Sequence, residues 1–165
     1  MKIYEYDYEI TNEYILNKFM GYTVLDIETT GLSREKDNII LIGTIHIQEH
    51  TTIKLLFAEN LKEEFELLKE INLKDKKIIT YNGKFFDLPF IQAKKSFYKL
   101  NSDEFTSFDL YQYVKKYNYL LNLDKIRQID IERYLGISRK EFISGKESTL
   151  LYKKYLTDKN DYALE

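Results

Sequence analysis

The chain has 165 residues, 44% of them apolar or aromatic, which is enough for one domain with its own core and too little for two roomy ones. Its 25 basic and 27 acidic residues leave a formal charge of -2, a balance that neither demands nor excludes a nucleic-acid partner, because an acidic site and a basic rim cancel in the sum. With no cysteine there are no disulfides or thiolate zinc sites, and without an 18-residue apolar run or an apolar segment behind Met1 the expectation is a soluble, cytoplasmic protein with no membrane partner.

From Ile3 to Ile10 tyrosines alternate with acids, the pattern of an edge strand or an extended arm. Thr11 or Asn12 can cap a short helix carrying Tyr14, Ile15, Lys18 and Phe19, and Gly21 closes it. Neither piece holds an obvious site, so residues 1–20 read as an N-terminal extension to a domain over 21–165.

Thr23–Leu32 is different. Val24, Leu25 and Ile27 suit a buried strand, while Asp26 and Glu28, two residues apart, point from one face of it. Paired carboxylates repel and lose hydration, so a cation sharing the space is the simplest reason to keep them, and oxygen donors favour magnesium or manganese. The competing reading puts Asp26 past the pleat and Glu28 in solvent at the strand's end.

A polar turn over Ser33–Asn38 leads to Ile39–Ile45, apolar enough for burial on both faces, and Gln48–Thr51 then connects to a third strand, Thr52–Phe57. His46 and His50 lie four apart without acids in metal-ligand order, which disfavours histidine chemistry. Asn60 and Glu63 form a capping-box pattern for a helix over Leu61–Asn72, and Lys77–Tyr81 is a fourth strand. Strands followed by a crossover helix and another strand predict an α/β domain with a mixed sheet.

Asn82-Gly83 is a turn signal, and Pro89 suits the first turn of a helix through Phe90, Ile91 and Ala93. Asp87 therefore sits at a strand-to-helix junction, either as a helix cap or, taken with Asp26 and Glu28, as the third arm of an acidic metal site. Asp109 ends a short strand over Thr106–Phe108 and precedes a helix around Leu110–Tyr119. Leu123–Leu135 reads as helical, with Asn122 as its cap, Gly136 as its end and a break around Ile129–Ile131 as an alternative. Ser138–Gly145 is a loop with the basic pair Arg139-Lys140, and Leu151–Leu156 is helical with few evident partners. Fifteen tyrosines, with Lys94, Lys95, Lys99, Lys115 and Lys116, could line a strand-binding groove, but lysine throughout the chain favours ordinary surface and core-edge positions for many of them.

Asp26-Ile27-Glu28-Thr29-Thr30-Gly31-Leu32 resembles the first motif of the DEDD 3′-to-5′ exonucleases of the ribonuclease H-like superfamily, and Asn82–Phe90 resembles the second. Ile42-Gly43, Phe108-Asp109-Leu110, Tyr134–Ile137 and Ile143-Ser144-Gly145 extend the resemblance over roughly residues 20–157, towards stand-alone bacterial members expected to be exonucleases. The resemblance implies a ribonuclease H-like mixed sheet flanked by helices. It also implies a nuclease, most simply a 3′-5′ exonuclease acting on a single-stranded 3′ end of DNA or RNA with two Mg2+ or Mn2+ ions. It assigns Asp26, Glu28 and Asp87 as metal-binding and catalytic residues, Thr29, Asn82 and Lys84 as substrate contacts, and Asp109 as a positioning residue with a secondary claim to the metal.

The family's fourth carboxylate, preceded by His at an interval of five or Tyr at an interval of four, has no persuasive copy: Asp158 and Asp161 lack the partner, and Tyr119 with Asp124 has the wrong residue too early. The resemblance places that final helix just beyond Glu165. The alternative function is a nucleic-acid-binding or assembly module that keeps the fold with an incomplete site.

Overall fold

A computed structural model describes residues 1–139 and 143–158. Six strands form one sheet: β1 (Lys2–Tyr8), β2 (Tyr22–Thr29), β3 (Ile39–His46), β4 (Thr51–Phe57), β5 (Lys77–Thr80) and β6 (Thr106–Asp109). The helices are α1 (Glu13–Phe19), α2 (Glu64–Glu70, entered through a 3₁₀ turn at Leu61–Glu63), α3 (Asp87–Phe97), α4 (Leu110–Leu121), α5 (Gln128–Tyr134) and α6 (Gly145–Asp158). Spatial order is β1-β4-β3-β2-β5-β6, with β2, β3, β4 and β1 antiparallel and β2, β5 and β6 parallel. The expected mixed sheet flanked by helices is therefore the architecture, with β2 between β3 and β5 as its centre. The tyrosine-rich start is an edge strand paired along its length with β4, so the extension adds to the sheet. None of the described helices is long and apolar enough to cross a membrane.

The alternation of β2 divides the molecule. Leu25 and Ile27 enter the main core with Ile42 and Ile78, against Leu67 and Leu68 of α2 and Leu88, Phe90 and Ile91 of α3. Full burial of side chains of this kind contributes about 1.5–3 kcal/mol each, so this face holds the sheet together. Asp26 and Glu28 point to the other face. There Tyr152 and Tyr155 of α6 pack edge-on against Phe57, with ring centroids 5.8 and 5.3 Å apart, and enclose Ile40. The partners that the sequence did not reveal for α6 are thus aromatic residues and a bulged strand. Glu28 pairs with Leu41 and Thr29 with Ile39, which leaves Ile40 as the extra residue that turns towards α6.

Several local expectations change. Asn60 accepts from Lys62 N–H, and Glu63 accepts from Glu59 N–H, so the capping pattern opens a 3₁₀ turn before α2. Asn122, left-handed at φ 50°, closes α4 and does not start the next helix. Residues 123–127 are not helical, and α5 runs unbroken through Ile129 and Ile131. Lys94 and Lys95 do not line a groove: they are 4% and 5% exposed, Lys94 paired with Glu64 at 3.7 Å and Lys95 with Asp103.

Candidate active site

The acidic group assembles where β2 meets the start of α3. Gly83 lies in the turn after β5, where a Cβ would come within 2.6 Å of Thr80 Cβ and 2.9 Å of Asp87 Oδ2. Only glycine allows the turn to close this tightly beside the carboxylate. Asn82 takes a left-handed φ of 64°, tolerable for asparagine, and α3 begins at Asp87 with Pro89 in its first turn.

Asp87 does not cap α3. The capping position is Phe86, without a side-chain cap, and Asp87 Oδ1 instead accepts from the backbone N–H of Ile27 at 3.0 Å. That bond joins the second motif to the first across 60 residues and sets Asp87 beside Asp26. Burial, then the charge of Asp26, pushes the Asp87 carboxyl up to about 7, against the opposing pull of the Ile27 N–H. Asp26 reaches solvent, yet surrounding protein desolvates it enough to raise its pKa, while the Arg139 guanidinium pulls the other way. Glu28 is half-buried. Burial raises its pKa, a Ser148 hydrogen bond lowers it, and the charge of Asp26 raises it again.

Asp109 has a different office. Its carboxylate accepts from Thr80 Oγ1 at 3.2 Å, Asn82 N–H at 3.0 Å, Lys84 N–H at 2.8 Å and Gln112 N–H at 3.3 Å. It therefore caps α4 and moulds the turn that leads to Asp87. The expected substrate contacts divide. Asn82 and Lys84 have exposed side chains on that turn, whereas Thr29 is buried and its hydroxyl donates to Gly31 O at 2.6 Å. Arg34 Nη2 donates to Phe85 O at 2.7 Å, tying the loop after β2 to the turn before α3.

Two contributors escaped sequence reasoning. Ser148 engages Glu28, and Thr149 Oγ1 donates to Thr29 O at 3.2 Å, so α6 pins the end of β2 from 120 residues away. Arg139, held through its Nε and Nη2 by Glu132 at 2.6 Å each, supplies positive potential near Asp26. No local spacing announces either contact. The only signal was the resemblance around residues 134–145.

The donors suit a hard divalent cation. The charge of Asp26 opposes the ionisation of Asp87, the donors are carboxylate oxygens, and a cation between them would relieve that repulsion. Among the described residues, however, no three His, Cys, Asp or Glu side chains are already gathered closely enough to hold a metal ion. Glu28 shares a hydrogen bond with Ser148. Asp158 lies at the end of α6, and Asp161 lies outside the described residues.

No curated protein matches the sequence. Among solved structures, the fold is similar to the family B DNA polymerase from the hyperthermophilic archaeon Pyrobaculum calidifontis, with TM-score 0.57 and 14% identity over 80% of this chain and 21% of that one. This chain thus spans about a fifth of the polymerase. It is also similar to Brucella melitensis NrnC bound to pGG, with TM-score 0.52 and 17% identity over 91% of this chain and 74% of that one. Identities this low carry the fold alone. The sequence itself matches the RNase_H_2 family over residues 23–165, so the chain belongs to the RNase_H superfamily.

Proposed function

We propose that this protein is a divalent-metal-dependent nuclease, and specifically a 3′-5′ exonuclease that hydrolyses phosphodiester bonds of single-stranded DNA or RNA. The observation that carries the reading is the Asp26–Asp87 pair. A fold that holds the buried Asp87 carboxylate against that of Asp26, through a dedicated backbone hydrogen bond from Ile27, maintains an electrostatic cost that a cationic ligand or a transferred proton explains. Membership of the RNase_H superfamily and the likeness to a fold that binds pGG in NrnC support nucleic acid as the partner.

Mg2+ or Mn2+ would be held by Asp26 and Asp87, with Glu28 joining on release from Ser148. When bound, such ions polarise a phosphoryl oxygen and make water a stronger acid. The chain's own part is positional. The Ile27 N–H fixes one oxygen of Asp87, leaving its second oxygen for a ligand, and Asp109 holds the 80–84 turn so that Asn82 and Lys84 face the incoming strand. Arg139, restrained by Glu132, offers a guanidinium to a phosphate beside Asp26.

The test is release of nucleotides from end-labelled single strands of DNA and RNA with Mg2+ or Mn2+. Stepwise shortening from the 3′ end, abolished by EDTA and slowed at least ~10²-fold by Asp26→Asn, is the expected result, since displacements of about 1 Å already cost that much. The open arrangement of the acidic side chains favours one competing reading, a nucleic-acid-binding or assembly module. Metal-independent binding of both polymers, with no hydrolysis under any condition, would establish it instead.

A further inference from the structure

The open face of the sheet carries a cavity of about 800 Å³ between the strands and α6, reaching from Glu28 to the outer edge at Tyr6. Its floor follows the cross-strand register. Glu28 stands beside Leu41, then Phe57, then Lys2, and the neighbouring row runs Asp26, Gly43, Leu55, Tyr4. Directly opposed residues share a face, so both acidic residues of β2 begin rows that end on β1. Gly43, without a side chain, keeps the second row low between Asp26 and Leu55.

The far wall includes Ser148, Leu151 and Tyr152 of α6. Tyr152 is 4% exposed, and its hydroxyl has no hydrogen-bond partner among the described residues. A buried hydroxyl without a partner is exceptional, and this one belongs to a residue that lines the cavity. Tyr6, 53% exposed, stands at the outer end next to Tyr4. The β1 strand lies outside the segment that matches the family.

We propose that this trough receives unpaired bases of the nucleic-acid strand whose phosphate lies at Asp26 and Asp87. The inference rests on the nuclease reading for what brings the strand there. The trough is built for bases and not for phosphates: its lining is mainly aliphatic and aromatic, and its one cation among the described residues, Lys2, stands at the far end beside Glu59 at 3.8 Å. Bases offer flat faces that stack on tyrosine whatever their identity, and edges that can partner a lone hydroxyl. Tyr4 and Tyr6 supply the faces, Tyr152 Oη, covered in the free protein, the edge contact once a small side-chain shift uncovers it, and Glu28 makes the trough continuous with the acidic group. A helix of another protein would fill the apolar floor equally well, but it would not account for the continuity with Glu28.

The experiment measures binding of a fluorescent single-stranded oligonucleotide, by anisotropy, to the Asp26→Asn protein, in which hydrolysis is suppressed. In that background Tyr6→Ala, on the exposed edge, is expected to weaken binding about 5- to 10-fold. Tyr152→Phe, which removes one oxygen and keeps the ring, is expected to weaken it about 3- to 10-fold without lowering the melting temperature. A strand with abasic 3′ positions should bind the parent as weakly as the variants bind the intact strand, and the variants should weaken it no further. A 5-iodouracil near the 3′ end should photocrosslink to the peptide bearing Tyr4 and Tyr6. Unchanged binding in both variants, with the crosslink elsewhere, overturns the proposal. So does a shift in self-association with no change in oligonucleotide binding, which would assign the trough to protein. The two readings fail separately. Tyrosine-sensitive binding without hydrolysis by the unmutated protein defeats the nuclease reading alone, whereas Asp26-dependent hydrolysis with unaltered KM in Tyr6→Ala and Tyr152→Phe defeats the trough alone.

Discussion

Two buried carboxylates solve the same problem in opposite ways. Glu64, wholly buried in α2, accepts from Ile39 N–H at 2.7 Å, Asn38 Nδ2 at 2.8 Å and Tyr98 Oη at 2.9 Å, with Lys94 Nζ 3.7 Å away. Asp87, also buried, has the Ile27 N–H and then faces another acid. Burial of charge therefore does not mark a site in this molecule. What separates the two is counter-charge, supplied to Glu64 by Lys94 and deficient around Asp87, and that deficiency is what the proposed metal-binding role of Asp87 would account for.

If this contrast holds, breaking the satisfied network should cost most. Glu64→Ala leaves Lys94 buried without its anion and strands three donors, a change worth about 3–5 kcal/mol. Chemical denaturation should report that loss, and a melting temperature lower by roughly 10 °C should accompany it. A loss below 1 kcal/mol would mean that the network does not hold α2, α3 and the start of β3 together.

Asp109 stands between the two types, since its carboxylate is fully used yet lies next to the site. Asp109→Ala removes a helix cap and the acceptor for the 80–84 turn, an expected loss of about 2–3 kcal/mol. Metal binding should weaken with it, because the turn leads into Asp87. Asp109→Asn keeps an acceptor oxygen and should recover part of both. Stability lost with unchanged metal affinity would confine Asp109 to the scaffold.

Asp87 supplies the pH arm of the comparison. Its pKa is raised from 3.8 to about 7 in the folded protein, so the fold binds the proton more tightly than the unfolded chain does. The associated stability is fully present below about pH 4 and is lost as pH rises through 7. Asp87→Asn mimics the neutral acid and keeps an oxygen for the Ile27 N–H. In EDTA it should match the parent near pH 4 and exceed it by about 2 kcal/mol at pH 8, a value discounted for relaxation around the charged form. Thermal melts from pH 4 to 8 check the crossing, and Mn2+ should close the gap at pH 8 by stabilising the parent. A constant difference across the range would mean that Asp87 does not titrate as its surroundings imply.

The strands were readable because their signal is local: apolar runs mark β2 and β3, and the turn at Asn82-Gly83 marks the approach to α3. Asp26, Glu28 and Asp87 were likewise singled out by spacing and by motif, and the fold brings Asp26 and Asp87 side by side. What could not be read were relations between distant faces. Nothing in the spacing of Lys94 and Lys95 distinguishes buried ion pairs from a basic rim, since both patterns place lysines on one helix. Ser148 and Tyr152 sit in an unexceptional amphipathic run, and their meaning comes from the bulge at Ile40 that lets α6 settle on the open face. Asn122 showed the ambiguity of a residue that starts helices and also ends them in the left-handed conformation.

The smallest effect tests whether the open face gives up stability for room. Gly43 lies in the interior of β3, where its backbone angles suit any residue and glycine costs roughly 0.5–1 kcal/mol relative to alanine. A Cβ there would meet Leu55 Cδ2 at 3.4 Å and Asp26 O at 3.9 Å, contacts that the strand can accept. Gly43→Ala should therefore raise stability by up to about 1 kcal/mol. The same methyl would stand on the face shared with Asp26, in the low row that leads from the acidic group towards Tyr4. Titration of the protein with Mn2+ and with a short single strand separates the two consequences: unchanged metal affinity with weaker strand binding would mean that the space serves the bases, and weaker metal affinity would mean that it serves the carboxylates. A variant that gains stability and loses neither would show the glycine to be an accident of the strand, and the contrast between a closed face built for stability and an open face built for access would then rest on the carboxylates alone.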